Sequence, residues 1–134
     1  MNNVANARQL AILWHNGQTR RDGVTPYFKH VEDVARRCMK YGEKEQIVAY
    51  FHDILEQTEV PLCVFDDFTE DIFVAVKILT KSNGTSYNQY ISHIKNNELA
   101  RRVKIQDILS NLSDDPTKKQ IRKYAEALLV LVPY

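Results

Sequence analysis

The chain has 134 residues, 44% of them hydrophobic and 26% charged, with 18 Lys and Arg against 17 Asp and Glu. That is room for one domain with one sizeable core. It excludes a disordered chain and a collagen-like repeat, and no apolar run approaches the roughly 18 residues that would span a bilayer. A net charge of +1 is far from the basic surface of a dedicated nucleic-acid binder, so neither a membrane nor a specific nucleic acid is expected as a partner.

The chain opens Met1-Asn2-Asn3-Val4-Ala5-Asn6, with no basic n-region and no long apolar stretch, which is unlike a secretory signal. Val4, Leu10, Ile12, Leu13 and Trp14 predict a first helix ending near Gly17. Thr25-Pro26 reads as N-cap and first helical position of a second helix, from about Tyr27 to Tyr41, with Gly42 as its stop. A third helix is predicted over about 45–57. A fourth, over 67–80, has Ile72, Val74, Val76 and Leu79 on its apolar side. Asn83-Gly84 is a turn, and helices follow over about 86–95 and 98–112. Asp115-Pro116 repeats the N-cap signal before a last helix carrying Ile121, Tyr124, Ala127, Leu128 and Leu131. No alternating strand pattern occurs. The expectation is an all-α fold, one domain over 1–134, with six or seven helices. Cys38 and Cys63 form no CxxC pair. A disulfide between them stays open, but reduced thiols in a cytoplasmic protein are the better reading.

The feature that carries chemistry is Tyr50-Phe51-His52-Asp53-Ile54-Leu55-Glu56. A carboxylate beside an imidazole on an apolar helix costs free energy unless something compensates it. A metal would do so by making both into ligands; a salt bridge or a surface hydrogen-bonded pair is the plainer alternative. His30 on the preceding helix can come opposite His52 if the two helices are antiparallel. Asp107 is a second carboxylate in an apolar helical stretch, and Asn111 lies one turn further along the same face. Glu56 falls near the face of His52 and Asp53. Two imidazoles and two carboxylates make a mixed N/O donor set suited to Mn²⁺, Fe²⁺ or Zn²⁺ with positions left open. An open ion of this kind polarises a phosphoryl oxygen and generates hydroxide from water, and Glu56 could shuttle the proton. His15 and His93 read as structural or surface residues, and Trp14, Tyr50 and Phe51 as core.

These residues resemble the HD superfamily of metal-dependent phosphohydrolases. The likeness is greatest to the (p)ppGpp hydrolase domain of RelA/SpoT enzymes and small alarmone hydrolases. The run from Gln18 to His30 is similar to the QxRKxGxPYxxH opening of that domain, and 52–58 to its HDxxEDT segment. Ile78-Leu79-Thr80-Lys81 is similar to VTK, and Val103–Asn111 to VKLADRLHN. The resemblance implies metal ligation by His30, His52, Asp53 and Asp107, with Mn²⁺ as the usual ion. It implies that Glu56, with Asp53, serves catalysis by activating water. It places Arg20 against a guanine base, Arg21 beside the nucleotide and Asn111 in the cleft; Lys104 is a candidate to face phosphate. The implied reaction removes the 3′-pyrophosphate of (p)ppGpp. The chain departs from the pattern at Gln57, where the family has Asp, at Ser110, where it has His, and at Leu112-Ser113-Asp114, where it has Met-Arg-Thr. A nucleotide-binding HD module with weak or no catalysis, or an HD phosphatase for another nucleoside phosphate, are the alternatives these departures keep open.

Overall fold

The apolar spacing sets the architecture, as the computed structural model, which describes residues 3–133, bears out. Met1, Asn2 and Tyr134, counted above in the single domain, lie outside the described residues. In chain order the helices are α1 (Val4–Trp14), α2 (Tyr27–Arg37), α3 (Glu43–Phe51), α4 (Ile54–Gln57), α5 (Glu70–Ile78), α6 (Tyr87–Lys95), α7 (Glu98–Leu112) and α8 (Lys118–Leu131). A 3₁₀ turn at Leu62–Asp67 precedes α5. Among the described residues there is no strand, only an isolated bridge between Thr19 and Pro26. No helix is long and apolar enough to cross a membrane.

Helix α3 is the axis of the bundle. Ile47, Val48, Ala49, Tyr50 and Phe51 are buried consecutively, which a helix allows only where neighbours cover every side. Helices α1, α2, α5 and α7 supply that cover. The Phe51 ring meets Phe65 at 5.2 Å and Phe68 at 5.1 Å, both edge to face. Helix α7 buries Ala100, Val103, Asp107 and Ser110 at three- and four-residue steps, so its inward stripe is apolar at one end and polar at the other. That polar end meets the C-terminal end of α3.

The expected third helix is instead two, which makes eight α-helices among the described residues rather than six or seven. The break falls at His52-Asp53 and has no Gly or Pro in it. In a continuous helix the Ala49 carbonyl would accept from the Asp53 N–H. Here it accepts from the His52 N–H at 3.4 Å and from His52 Nδ1 at 2.6 Å. The imidazole competes for the acceptor, and Asp53 turns to φ −108°, ψ −1°. Local propensity holds no signal for this, since the cause is a side chain drawn inward.

Three starts also differ. Pro26, extended at ψ 135°, is the N-cap of α2, because Thr25 Oγ1 donates instead to Asp22 Oδ2 at 2.5 Å. Thr117, not Asp115, caps α8, in a reciprocal box with Gln120. Asp115 adopts φ 47° before Pro116, a left-handed geometry that aspartate tolerates better than most residues. Helix α5 begins at Glu70 rather than 67, because the 3₁₀ turn occupies that segment. Helix α2 ends at Arg37 with Cys38 as its C-cap, short of the expected Tyr41, and Gly42 instead caps α3, at φ 136° in a conformation side chains rarely adopt. Cys38 is buried, Cys63 exposed, and both are free.

Because Phe51 is the fully buried anchor between α3 and the 3₁₀ turn, Phe51→Ala is expected to destabilise the fold by about 3–5 kcal/mol. Urea denaturation checks this; a loss under about 1 kcal/mol would contradict the central placing of α3.

Candidate metal centre and cleft

Three helices meet where α2, the end of α3 and the middle of α7 pass one another. Helix α2 delivers His30, the break after α3 delivers His52 and Asp53, and α7 delivers Asp107. His30, His52 and Asp107 are 6%, 2% and 4% exposed, and one ligand atom from each lies within 4.8 Å of the others. Asp53 stands beside this triple, with Oδ2 3.0 Å from His52 Nε2.

Hydrogen bonds at the far side of each imidazole decide what the near side can do. Ser110 Oγ donates to Asp33 Oδ2 at 2.7 Å. The same oxygen is 3.1 Å from His30 Nδ1; with its own proton committed to Asp33, it accepts from the ring. His52 Nδ1 lies 2.6 Å from the Ala49 carbonyl, which can only accept. Both rings therefore keep their proton on Nδ1, and both Nε2 lone pairs face inward when the rings are neutral. His30 Nε2 is then 2.9 Å from Asp107 Oδ1, and His52 Nε2 is 3.4 Å from the same oxygen. The buried His52 Nε2 makes no well-formed hydrogen bond. Two nitrogen lone pairs and carboxylate oxygens converging with no proton among them repel one another unless a cation or added proton joins them. This donor set fits a divalent ion.

Electrostatics agree with that demand for positive charge. Burial opposes an imidazolium at His52, yet Asp53 and Asp107 outweigh it and hold its pKa well above the usual histidine range. Burial likewise opposes ionised Asp107, but Lys104, His52 and His30 hold its carboxyl well below the usual range. Burial also opposes ionised Asp53, whose pKa is nevertheless lowered, chiefly by His52. Lys104 Nζ donates to Asp107 Oδ2 at 2.9 Å, occupying the oxygen that faces away from the histidines. Tyr27 donates to Asp53 Oδ2 at 2.5 Å. Burial first and then Asp53 raise the tyrosine pKa, so it stays protonated.

The cleft above these groups has a volume of about 300 Å³ and is lined by Arg20, Arg21, Lys104, Asn111, Gln120 and Tyr124, among others, together with His30, Asp53 and Asp107. Asn111 Nδ2 donates to Asp107 Oδ1 at 3.3 Å, and its Oδ1 accepts from Arg20 at 3.0 Å. Arg20 also reaches Asp114 Oδ2 at 3.3 Å, while Arg21 donates to the carbonyls of Asp114 and Asp115, each at 3.2 Å. The Asp114 carboxylate thus draws Arg20 to the rim, while Arg21 is held there by backbone carbonyls. Glu56 lies apart from the cleft lining: its carboxylate accepts from the Lys81 backbone N–H. Burial of that carboxyl group and the charge of Asp53 raise its pKa, against the Lys81 hydrogen bond. Gln57 is exposed, and its carbonyl accepts from Gln18 Nε2 at 2.6 Å.

Sequence reasoning passed over Asp33, which carries no local signal, and gave Ser110 no role. Ser110 follows Asp107 by three residues on the buried stripe, so spacing alone could have nominated it. His15 is a core residue, 1% exposed, packed 5.1 Å from the Tyr27 ring and held by Gln18 Oε1 at 2.8 Å. His93 is exposed.

Fold and site together define an HD-type helical bundle with a buried His/Asp cluster able to hold a metal ion. Among solved structures the chain is similar to a metazoan ortholog of SpoT, described as hydrolysing ppGpp and playing a role in starvation responses. The TM-score is 0.80, over 97% of this chain and 85% of that one, at 21% sequence identity. At that identity the likeness establishes the fold. No family model and no curated protein matches the chain.

Ser110→Ala removes the acceptor that fixes the His30 tautomer, and is expected to weaken Mn²⁺ binding about 10- to 100-fold, as loss of such outer partners does. Titration calorimetry measures it; affinity within twofold of wild type would show that His30 is oriented without Ser110.

Proposed function

We propose that the protein is a metal-dependent phosphohydrolase that removes the 3′-pyrophosphate of a guanosine tetra- or pentaphosphate-like nucleotide, yielding GDP or GTP. The observation that carries this reading is the convergence of the His30 and His52 Nε2 atoms on Asp107, with Nδ1 of each ring directed at a different acceptor. The fold it shares with a ppGpp hydrolase supports the substrate class.

In this reading His30, His52, Asp107 and Asp53 hold a divalent ion, with Mn²⁺ the choice from the family resemblance. Once bound, it supplies a Lewis acid and lowers the pKa of water toward neutrality. The chain's own groups do the rest. Tyr27 fixes Asp53 by donating to it, which keeps one carboxylate oxygen directed at His52. Glu56, with its raised pKa, takes the proton of the attacking water, and the Lys81 amide holds its other side. Lys104 stays charged beside Asp107 and offsets phosphate charge. Asn111 and Arg20 form a hydrogen-bonded pair at the cleft wall and present donors to the nucleotide, with Arg21 at the rim. Binding requires Arg20 to exchange Asp114 for the ligand, so Asp114 tunes affinity.

Pyrophosphate release from ppGpp with Mn²⁺ tests the proposal. His52→Ala and Asp53→Ala are each expected to lose about 100-fold or more in turnover, since each removes a donor that only the metal-assisted step needs. Turnover persisting in both would contradict the metal-site reading. Tight nucleotide binding without turnover in metal-loaded wild type would favour a binding module. Faster hydrolysis of a deoxynucleotide or of the NADPH phosphate would move the substrate.

Gln57→Asp restores the family's second carboxylate beside Glu56 and is expected to raise kcat several-fold, below the about 10²–10⁴ of a fully positioned acid–base group because Glu56 is already present. Unchanged or lower kcat in the same assay would indicate chemistry that does not use a carboxylate at this position.

A further inference from the structure

Helix α8 carries a concentration of charge that the cleft does not use. Lys119, Arg122, Lys123 and Glu126 recur at three- and four-residue steps and so share a face. With Lys118, Tyr87 and Asn88 they line a cavity of about 440 Å³ between the N-terminal half of α8 and the start of α6. None of its lining residues lines the metal cleft; Gln120 and Tyr124, on the adjoining side of α8, do. Four cations share the cavity with one carboxylate, in a chain whose net charge is only +1. Among the described residues none of the four is in an ion pair.

Two further observations set this face apart from an ordinary solvated one. Lys123 Nζ sits 4.2 Å from the Tyr87 ring centroid and 5.6 Å from that of Tyr124, a contact that anchors the ammonium against an aromatic wall. The Tyr87 hydroxyl is buried without a hydrogen-bond partner. Partial burial, followed by the positive charges of Lys104, Lys119 and Lys81, lowers the Lys123 pKa. The ammonium thus lies in a net positive field that the single carboxylate of Glu126 only partly offsets, and a multiply charged anion would relieve it.

We propose that this cavity is a second anion-binding site, separate from the metal cleft, for a compact oligophosphate of diphosphate size, either the free ion or the phosphate tail of a nucleotide. The clustered cations provide several charge-assisted donors within one concave site, which suits closely spaced phosphates. A nucleic-acid backbone would need a basic track extending past the cavity, and the near-neutral chain does not offer one. The proposal does not depend on the hydrolysis reading.

Titration of the metal-free full chain with inorganic pyrophosphate, followed by amide NMR shifts and calorimetry, tests it. Saturable binding is expected, with shifts at Asn88, Lys119 and Arg122. The triple variant Lys119→Gln, Arg122→Gln, Lys123→Gln should weaken binding at least tenfold while melting as wild type does. Glu126→Gln should tighten it, which keeps the test informative if the triple variant unfolds. GDP binding more tightly than pyrophosphate would identify a nucleotide tail as the occupant; equal or weaker binding would identify the free ion. Shifts confined to Arg20 and Asn111, unchanged affinity in the triple variant, no saturable binding, or a short DNA duplex displacing pyrophosphate at lower phosphate concentration would each overturn the proposal.

Discussion

Asp107 brings a negative charge into the interior of the bundle, and much of the surrounding structure answers to it. One carboxylate oxygen faces Lys104 and the other faces both histidines and Asn111. A lone buried carboxylate would be expelled or protonated. This one stays ionised because cationic and donor groups from α2, α3 and α7 surround it. The same contacts tie the helix ends together: His30 of α2 and His52 at the end of α3 both face Asp107 of α7.

The outer hydrogen bonds matter as much as the inner donors. Asp33 takes the Ser110 proton, Ser110 takes the His30 proton, and the Ala49 carbonyl takes the His52 proton. When the rings are neutral, these bonds leave each imidazole with a lone pair in the interior, a ligand rather than a donor. The cost appears at Ala49, whose carbonyl is drawn from the helix ladder to the ring. Functional geometry is thereby bought with a broken helix.

Much of this was legible in the residues. Apolar spacing located most helices because each buries a stripe whose period the backbone imposes, and His30, His52 and Asp107 stood out as polar groups on those stripes. The His52-Asp53 break was not legible, because a tertiary hydrogen bond rather than a turn residue causes it. The Thr25 and Asp115 caps misled for a related reason: Asp22 captured the Thr25 hydroxyl, and Thr117 with Gln120 offered a better reciprocal cap. Asp33 was invisible because its contact to Ser110 spans two helices far apart in sequence. Asp114 could be seen as a departure from the pattern the sequence resembles, but its pull on Arg20 required the folded chain.

In the proposed metal centre both imidazoles present Nε2 to one ion beside Asp107. Electron spin echo envelope modulation of the Mn²⁺-loaded protein examines this directly. Nitrogen couplings from two histidines are predicted, one of them lost in His30→Ala and the other in His52→Ala. A spectrum without directly bound histidine nitrogen, from protein holding one Mn²⁺ per chain, would contradict it.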